Sequence, residues 1–307
     1  MAVTADRLLE GVKRRISMPS SQVLFVNADI LAIADDVIKA YLVPLLVSVR
    51  QDYFVTSSLT TTVADQAAYD IPYRAVGRGL RDLKLIDSSG SSRDVCLIQI
   101  ENEHLFGTSD TTHSFYFKGD QVVLVPAPTD ATSSVQFWWE QPPANLCTVS
   151  SAGLVASVAD PLVTLTSTPS TLIAAAVVDF VKGTSGNSTL AMDKTISSVA
   201  STVITFAANA VPSTLAAGDY ITMAGTSPVL QLPNECYPLV ETRVAQRILF
   251  AGGDFDGAKM LDDAVKEEEK NLKMLLEPRI QGEPTIILNR SGLLRGRRAG
   301  MRRGLFA

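Results

Sequence analysis

The sequence predicts an α+β protein: a four-helix bundle formed by N- and C-terminal helices, antiparallel β modules inserted between them, and an extended basic C-terminal arm. Three observations predict it. Apolar residues recur at helical spacing near both ends of the chain, the period falls to two between about residues 51 and 230, and from residue 284 onward the chain carries arginines and no acid. With 307 residues, 46% of them hydrophobic, there is enough apolar material to bury more than one modest core.

Leu8, Leu9, Val12 and Ile16 fall on one stripe from Thr4 to Ser17, with Thr4 and Asp6 as candidate caps and Pro19 beyond the end. A second helix is expected from Asn27, its candidate N-cap, to about Val43. Ile30, Ala34, Val37, Ile38, Tyr41 and Leu45 share its apolar stripe, and Pro44 should end or kink it. β-rich pieces follow at Tyr53–Val63, Leu80–Ile86, Val95–Ile98, Phe115–Phe117, Val122–Val125 and Val135–Trp139. Turn signals such as Ser88-Ser89-Gly90 and Lys118-Gly119-Asp120 separate them, the pattern of a sandwich or small barrel. Residues 148–230 keep β character but lose charge, with strands expected at Leu162–Leu165, Ala176–Val181, Val203–Phe206 and Asp219–Met223.

After Pro233 the helical period returns. Asn234 is a candidate cap for a helix carrying Tyr237, Val240, Val244 and Ile248 and ending at Gly252-Gly253. A second runs from about Asp256 to Glu277, with Asp262/Lys266 and Glu269/Lys273 expected as i,i+4 pairs. The organisation is therefore 1–50 helical, 51–147 a β module, 148–230 a second inserted β module, 231–283 a helical hairpin and 284–307 the arm.

No run of about 18 apolar residues is present, and the richest stretch, Leu172 to Val178, stops at Asp179, which argues against a membrane span. The N-terminus turns charged too early for a signal peptide, so a cytoplasmic site of synthesis is expected. Cys96, Cys147 and Cys236 are widely spaced and odd in number, unlike a disulfide framework. His104 and His113 lack neighbouring ligands for a metal, and no cofactor motif is met. Gly77-Arg78-Gly79 starts like a nucleotide loop but Asp82 breaks the pattern, and it reads as a turn. Asp254-Phe255-Asp256-Gly257 lacks the remaining oxygens of a calcium loop and reads as a helix connection. A Ser-His-Asp set would have to come from Ser109, Asp110 or Ser114 beside the histidines in one loop, whereas triad partners come from separate elements. No catalytic residue is assigned. Trp138 and Trp139 are adjacent on one strand and so face opposite sides, one toward the core and one outward to a boundary or, less in keeping with the pattern, a sugar.

Charge distribution is the strongest interaction signal. Arg290, Arg295, Arg297, Arg298, Arg302 and Arg303 leave the first 283 residues at −11 once they are set apart from the net of −5. Such a tail can meet an acidic protein groove, line a nucleic-acid channel, or be solvated. The interleaved Leu293, Leu294, Met301, Leu305 and Phe306 favour a protein groove, since phosphate contact needs no apolar anchors.

Taken together, several segments carry a likeness. They are the helical start with Lys13-Arg14-Arg15, the run Val49-Arg50-Gln51-Asp52-Tyr53, the run Tyr69-Asp70-Ile71-Pro72-Tyr73-Arg74-Ala75, the aromatic strand ending in Pro142-Pro143, Gly218-Asp219-Tyr220, and the final helix pair. The chain resembles the head-to-tail connector or adaptor proteins of tailed bacteriophages, over nearly its whole length. The resemblance implies a structural virion protein at the neck between head and tail. It implies a homo-oligomeric ring, usually a dodecamer, that binds the portal protein, contacts a tail or collar protein below and surrounds a channel for non-specific passage of DNA. It places portal binding on the arm, through Arg290, Leu293, Leu294, Arg295, Arg297, Arg298, Arg302, Arg303 and Phe306. A tail-completion or gatekeeper ring, and a receptor- or carbohydrate-binding virion protein, are the alternatives.

Overall fold

The computed structural model describes residues 3–17, 25–106, 112, 114–184, 186 and 189–276. Helix α1 (Ala5–Arg15) starts where Thr4 Oγ1 accepts the Arg7 N–H, and its last turn carries Lys13, Arg14 and Arg15 against the carbonyl end of the helix dipole. Helix α2 (Asn27–Val37) is capped differently from the expectation. Val26 stands at the N-cap, Asp29 reaches back to its N–H at 3.1 Å, and Asn27, already inside the helix, accepts from Lys13 Nζ at 2.6 Å.

Pro44 does not end the helix. A π-helical turn over Ile38–Leu42 runs directly into α3 (Val43–Val49), with Val43 N–H bonded to Ile38 O one residue further back than in an α-helix. The wider turn lets the ring of Pro44, which has no N–H and would clash with the preceding turn, sit at the start of a fresh helix.

Next come strands β1 (Val55–Thr61), β2 (Ala68–Asp70), β3 (Asp82–Ile86), β4 (Ser92–Asp94) and β5 (Cys96–Leu97). The short helix α4 (Glu103–Phe106) follows, then β6 (Ser114–Lys118), β7 (Gln121–Val125) and β8 (Ser134–Glu140). They form two four-stranded sheets, ordered β1-β8-β3-β4 and β2-β7-β6-β5. Alternation does the work on β8: Val135, Phe137 and Trp139 point inward and Gln136 and Trp138 outward. Those inward residues share one core with Leu83 and Leu85 from the same sheet and with Tyr69, Phe115, Val122 and Leu124 from the other.

Beyond β9 (Asn145–Leu146) the strands β10 (Gly153–Ala159), β11 (Leu162–Leu165), β12 (Val177–Val181), β13 (Thr189–Ala200), β14 (Val203–Phe206) and β15 (Tyr220–Met223) close a barrel in the order β10-β11-β14-β13-β12-β15. Every neighbouring pair in it is antiparallel. Its interior is filled by side chains, with the Phe180 and Phe206 rings 5.1 Å apart among Val163, Val178, Ile204 and Ile221. Strand β16 (Thr226–Ser227) then pairs in parallel with β9 and returns the chain to the helices, where Leu230 N–H bonds Val3 O.

Helices α5 (Tyr237–Ala251) and α6 (Phe255–Leu276) form a hairpin. Asn234 lies in a 3-10 turn, so α5 begins at Tyr237 with Pro238 in its first turn, and it ends at Gly252 as the glycine pair predicts. Of the expected pairs on α6, Glu269–Lys273 forms at 2.6 Å. Lys266 turns instead to Asp263 at 3.6 Å, because Asp262 is bonded to Gln246 of α5.

The expected four-helix bundle with β modules spliced into it is corrected by this arrangement. Strands dominate, in a closed barrel and several sheets, and the helices share one core around α5, which α1, α2 and α6 all meet. A bundle needs four helices of similar length each flanked by two others. Here α1 has 11 residues and α5 15 against 22 in α6, so the helices are not matched in length, although the π turn joins α2 and α3 into one continuous helix. Nor are the sheets wholly antiparallel, since β5–β6 and β9–β16 run parallel. The α1–α5 approach depends on Gly11: a Cβ there would lie 1.3 Å from Glu241 Oε1. Glu241 is buried and held by Tyr237 Oη at 2.6 Å and Arg15 Nε at 3.2 Å.

Asp35 joins α2 to β9 by accepting the Leu146 N–H at 2.8 Å. Burial, opposed by that bond and by Lys39, pushes its carboxyl up from 3.8 to about 6. The native state therefore takes up a proton at higher pH than the unfolded chain. Ionised Asp35 weakens the fold above about pH 6, and the penalty vanishes as pH falls toward 4. Asp35→Asn keeps an acceptor for Leu146. It is expected to stabilise the protein by about 1–2 kcal/mol above pH 6, after discounting for partial exposure, and by nothing near pH 4. Urea denaturation at both pH values checks this.

Candidate functional site

The densest polar constellation lies where the sheets meet the barrel. Asp179 is a carboxylate in an otherwise apolar strand, flanked by Val178 and Phe180, and its side chain is buried. Bare burial of that charge would be costly, so its oxygens must be satisfied. Arg74, on the loop after β2, supplies a two-pronged contact, Nη1 to Oδ2 at 2.6 Å and Nη2 to Oδ1 at 3.1 Å. The Asp193 and Gly225 N–H groups complete the set at 2.9 and 2.8 Å. Arg74 Nη2 also reaches Asp193 Oδ1 at 2.6 Å, and Tyr73 Oη donates to the same oxygen at 2.7 Å. Burial works against the charge on Arg74, but the bonds to Asp179 and Tyr73 and the charge of Asp193 outweigh it and hold its pKa above the ordinary value.

Beside this clamp is a cleft of about 560 Å³ lined by Lys39, Val43, Tyr73, Pro142, Asn145 and Gly225, among others. Its charged groups are already engaged: Lys39 Nζ donates to Asn145 Oδ1 and Arg74 is taken up by the two aspartates. Gln231 ties the same junction from below, accepting the Ala144 N–H at 2.8 Å and donating to Thr189 Oγ1 at 2.9 Å. Bonds of this kind fix the two β modules against each other; none leaves an acid and a base converging on open space.

His104 sits exposed on α4 with Nδ1 3.0 Å from Glu101 O, while His113, Ser109 and Asp110 lie outside the described residues. Ser114 is buried on β6. Among the described residues no cluster of three His, Cys, Asp or Glu could hold a metal ion, and no helix is long and apolar enough to cross a membrane. Gly77 and Arg78 adopt φ of 60° and 54° in a tight turn, the geometry the glycine anticipates. Asp254 caps α6 through Gly257 N–H at 2.9 Å, so that segment is a helix connection. Trp139 is 1% exposed in the sandwich core, and Trp138 is half-buried on the outer face.

The arm residues Arg290, Leu293, Leu294, Arg295, Arg297, Arg298, Arg302, Arg303 and Phe306 all lie outside the described residues. Asp179 and Asp193 were missed as site residues. The signal for Asp179 was present, since an acid inside the run Ala174 to Val181 is a buried charge in want of a partner. Searches against protein-family models and against curated proteins return no match.

Removing one partner of the clamp leaves a buried charge. Arg74→Ala is expected to cost about 3–5 kcal/mol and Arg74→Lys somewhat less, because an ammonium cannot make the two-pronged contact. Thermal denaturation of both variants measures this. The thiols offer an independent check. Cys96 is exposed, while burial pushes Cys147 up to about 11 and Cys236 up to about 12. A disulfide-exchange reagent at pH 8 should label Cys96 rapidly in the native protein and the other two only after denaturation.

Proposed function

We propose that this chain is a non-catalytic structural subunit of a tailed-phage particle, a head-to-tail adaptor that forms a ring beneath the portal and joins the capsid to the tail. The observation that carries the reading is the apolar outer surface of the α5–α6 hairpin. Phe250, Phe255, Met260, Met274 and Leu275 are all exposed there, Met260 to 82%. Phe250 and Phe255 meet ring to ring 5.1 Å apart at the tip of the hairpin, and the others are spread along α6; exposed large apolar groups of this kind suit docking. The hairpin leads directly in sequence into the arginine-rich arm, so one stretch of chain supplies both an apolar platform and a charged clasp for the portal. The acidic remainder of the chain suits a channel through which DNA slides without adhering.

Nothing on the barrel favours the carbohydrate-binding alternative. The aromatic residues of 148–230 are Phe180 and Phe206, both buried, and Tyr220, half-buried, so no exposed ring offers a sugar a stacking platform.

Electron microscopy of the purified chain mixed with purified portal rings tests the adaptor reading. Full-length protein should cap the portal, and a chain lacking residues 284–307 should remain folded by circular dichroism and leave the portal bare. Met260→Glu, at an exposed position, should weaken capping at least tenfold without moving the melting temperature. Full-length protein that ignores the portal would refute the assignment.

A further inference from the structure

The outward face of the barrel sheet β10-β11-β14-β13 is unusual for its lack of charge. Register sets the rows: Ser157 lies beside Thr164, Thr164 beside Val203 and Val203 beside Ala200, while in the next row Leu162 lies beside Thr205 and Thr205 beside Ser198. Residues 154–178 contain Asp160 as their one charged residue, and residues 195–218 contain none. The module's other charges, Asp179, Lys182, Asp193, Lys194 and Asp219, lie outside these two stretches, Asp193 and Lys194 on the first half of β13, so the neutral face is the part of the sheet beyond them. Leu162, 42% exposed, opens β11 at the hairpin end of this face, two residues from Asp160.

A second neutral surface is the free edge of the sandwich. Soluble proteins guard sheet edges with charge, proline, bulges or short strands. Among the four edges here, β2 and β5 have three and two residues, and β4 is the short charged run Ser92-Arg93-Asp94. Strand β1 has none of these guards. It is seven residues long, pairs with β8 in unbroken register, and carries no charge from Val55 through Ala64. Leu59 is exposed to 63%, and no other described strand pairs with the outer side of β1.

We propose that the neutral barrel face of one copy docks on the β1 edge of the next. A charged partner would have to strip water from its charges against a face offering no counter-charge. A largely neutral, hydroxyl-rich surface with an exposed leucine meets no such penalty, and each copy carries two of them. Two unlike surfaces meeting head to tail also satisfy what a closed ring requires, whereas one face meeting itself gives a two-fold dimer. Because the barrel is closed it offers no strand edge, so the contact is between side chains: Leu162 and its neighbours against Leu59 and Val63. The inference deepens the ring reading by naming the contact between neighbours, and it is tested without the portal, so the two fail separately.

Sedimentation velocity of the full chain is the experiment, with Ser198→Lys on the barrel face, Leu59→Lys on the edge, Ser92→Lys on β4 as control, and circular dichroism to verify folding. The unaltered chain and the control should sediment above the 32.9 kDa monomer, and each patch variant alone should revert to the monomer. An equimolar mixture of the two patch variants should stop at a dimer, because one intact face can meet one intact edge and nothing further. A monomeric unaltered chain, assembly that survives either patch substitution in a folded variant, or a mixture that stays monomeric would each overturn the proposal. Should a lysine variant fail to fold, Ser198→Asp and Leu59→Glu carry the same test.

Discussion

The arrangement of the β modules depends on the need to satisfy one buried carboxylate. Asp179 sits in the barrel wall with water excluded, and its oxygens are met by donors from the Arg74 loop, the start of the β13 bend and the turn at Gly225. If the barrel shifted relative to the sandwich, those donors would part from it and leave a charge in a low-dielectric interior. The clamp acts on orientation more than on total stability. A buried ion pair recovers little beyond the cost of desolvating its members, and apolar residues of similar volume could hold the modules as tightly. Apolar contacts, however, tolerate sliding, whereas a guanidinium facing a carboxylate along two bonds does not.

The same logic recurs at the helical end. Glu241 is buried between α1 and α5 and is met by Arg15 and Tyr237, with Gly11 providing the room. These two joints between elements distant in sequence therefore each combine apolar packing with one satisfied acid. The apolar groups supply most of the free energy through burial, and the acid selects one alignment among those the apolar surface would accept.

Periodicity made much of this legible. The alternation along Val135–Trp139 and the glycine pair after α5 identified their elements because each rests on local geometry. Strands β10 and β13 escaped notice: the first dilutes Leu154, Val155 and Val158 with Gly, Ala and Ser, and the second mixes Lys, Asp, Ser and Thr among its apolar residues, so neither shows a clear alternation until its neighbours are in place. The bundle expectation failed for a related reason. Four apolar stripes are visible in sequence, but which helix each stripe faces is a long-range matter, and α5 turned out to be apolar enough on several sides to receive three partners. Similarly, Arg74 was noticed in its loop while its partner lay 105 residues away. Spacing along a chain carries no information about contacts of that range.

The barrel narrows the kinds of role its module can take. A carrier needs an internal space of several hundred cubic ångströms lined to receive a ligand. This interior is occupied by Val163, Val178, Phe180, Ile204, Phe206 and Ile221, all at 2% exposure or less. Closure also removes the free strands by which an open sheet recruits a peptide. With the inside filled and the edges consumed, the outward side chains are the part of the module left to make contacts. The clamp matters for that reason: a surface held at a fixed angle to the rest of the chain would meet a neighbour in one geometry, as the proposed ring requires of every copy.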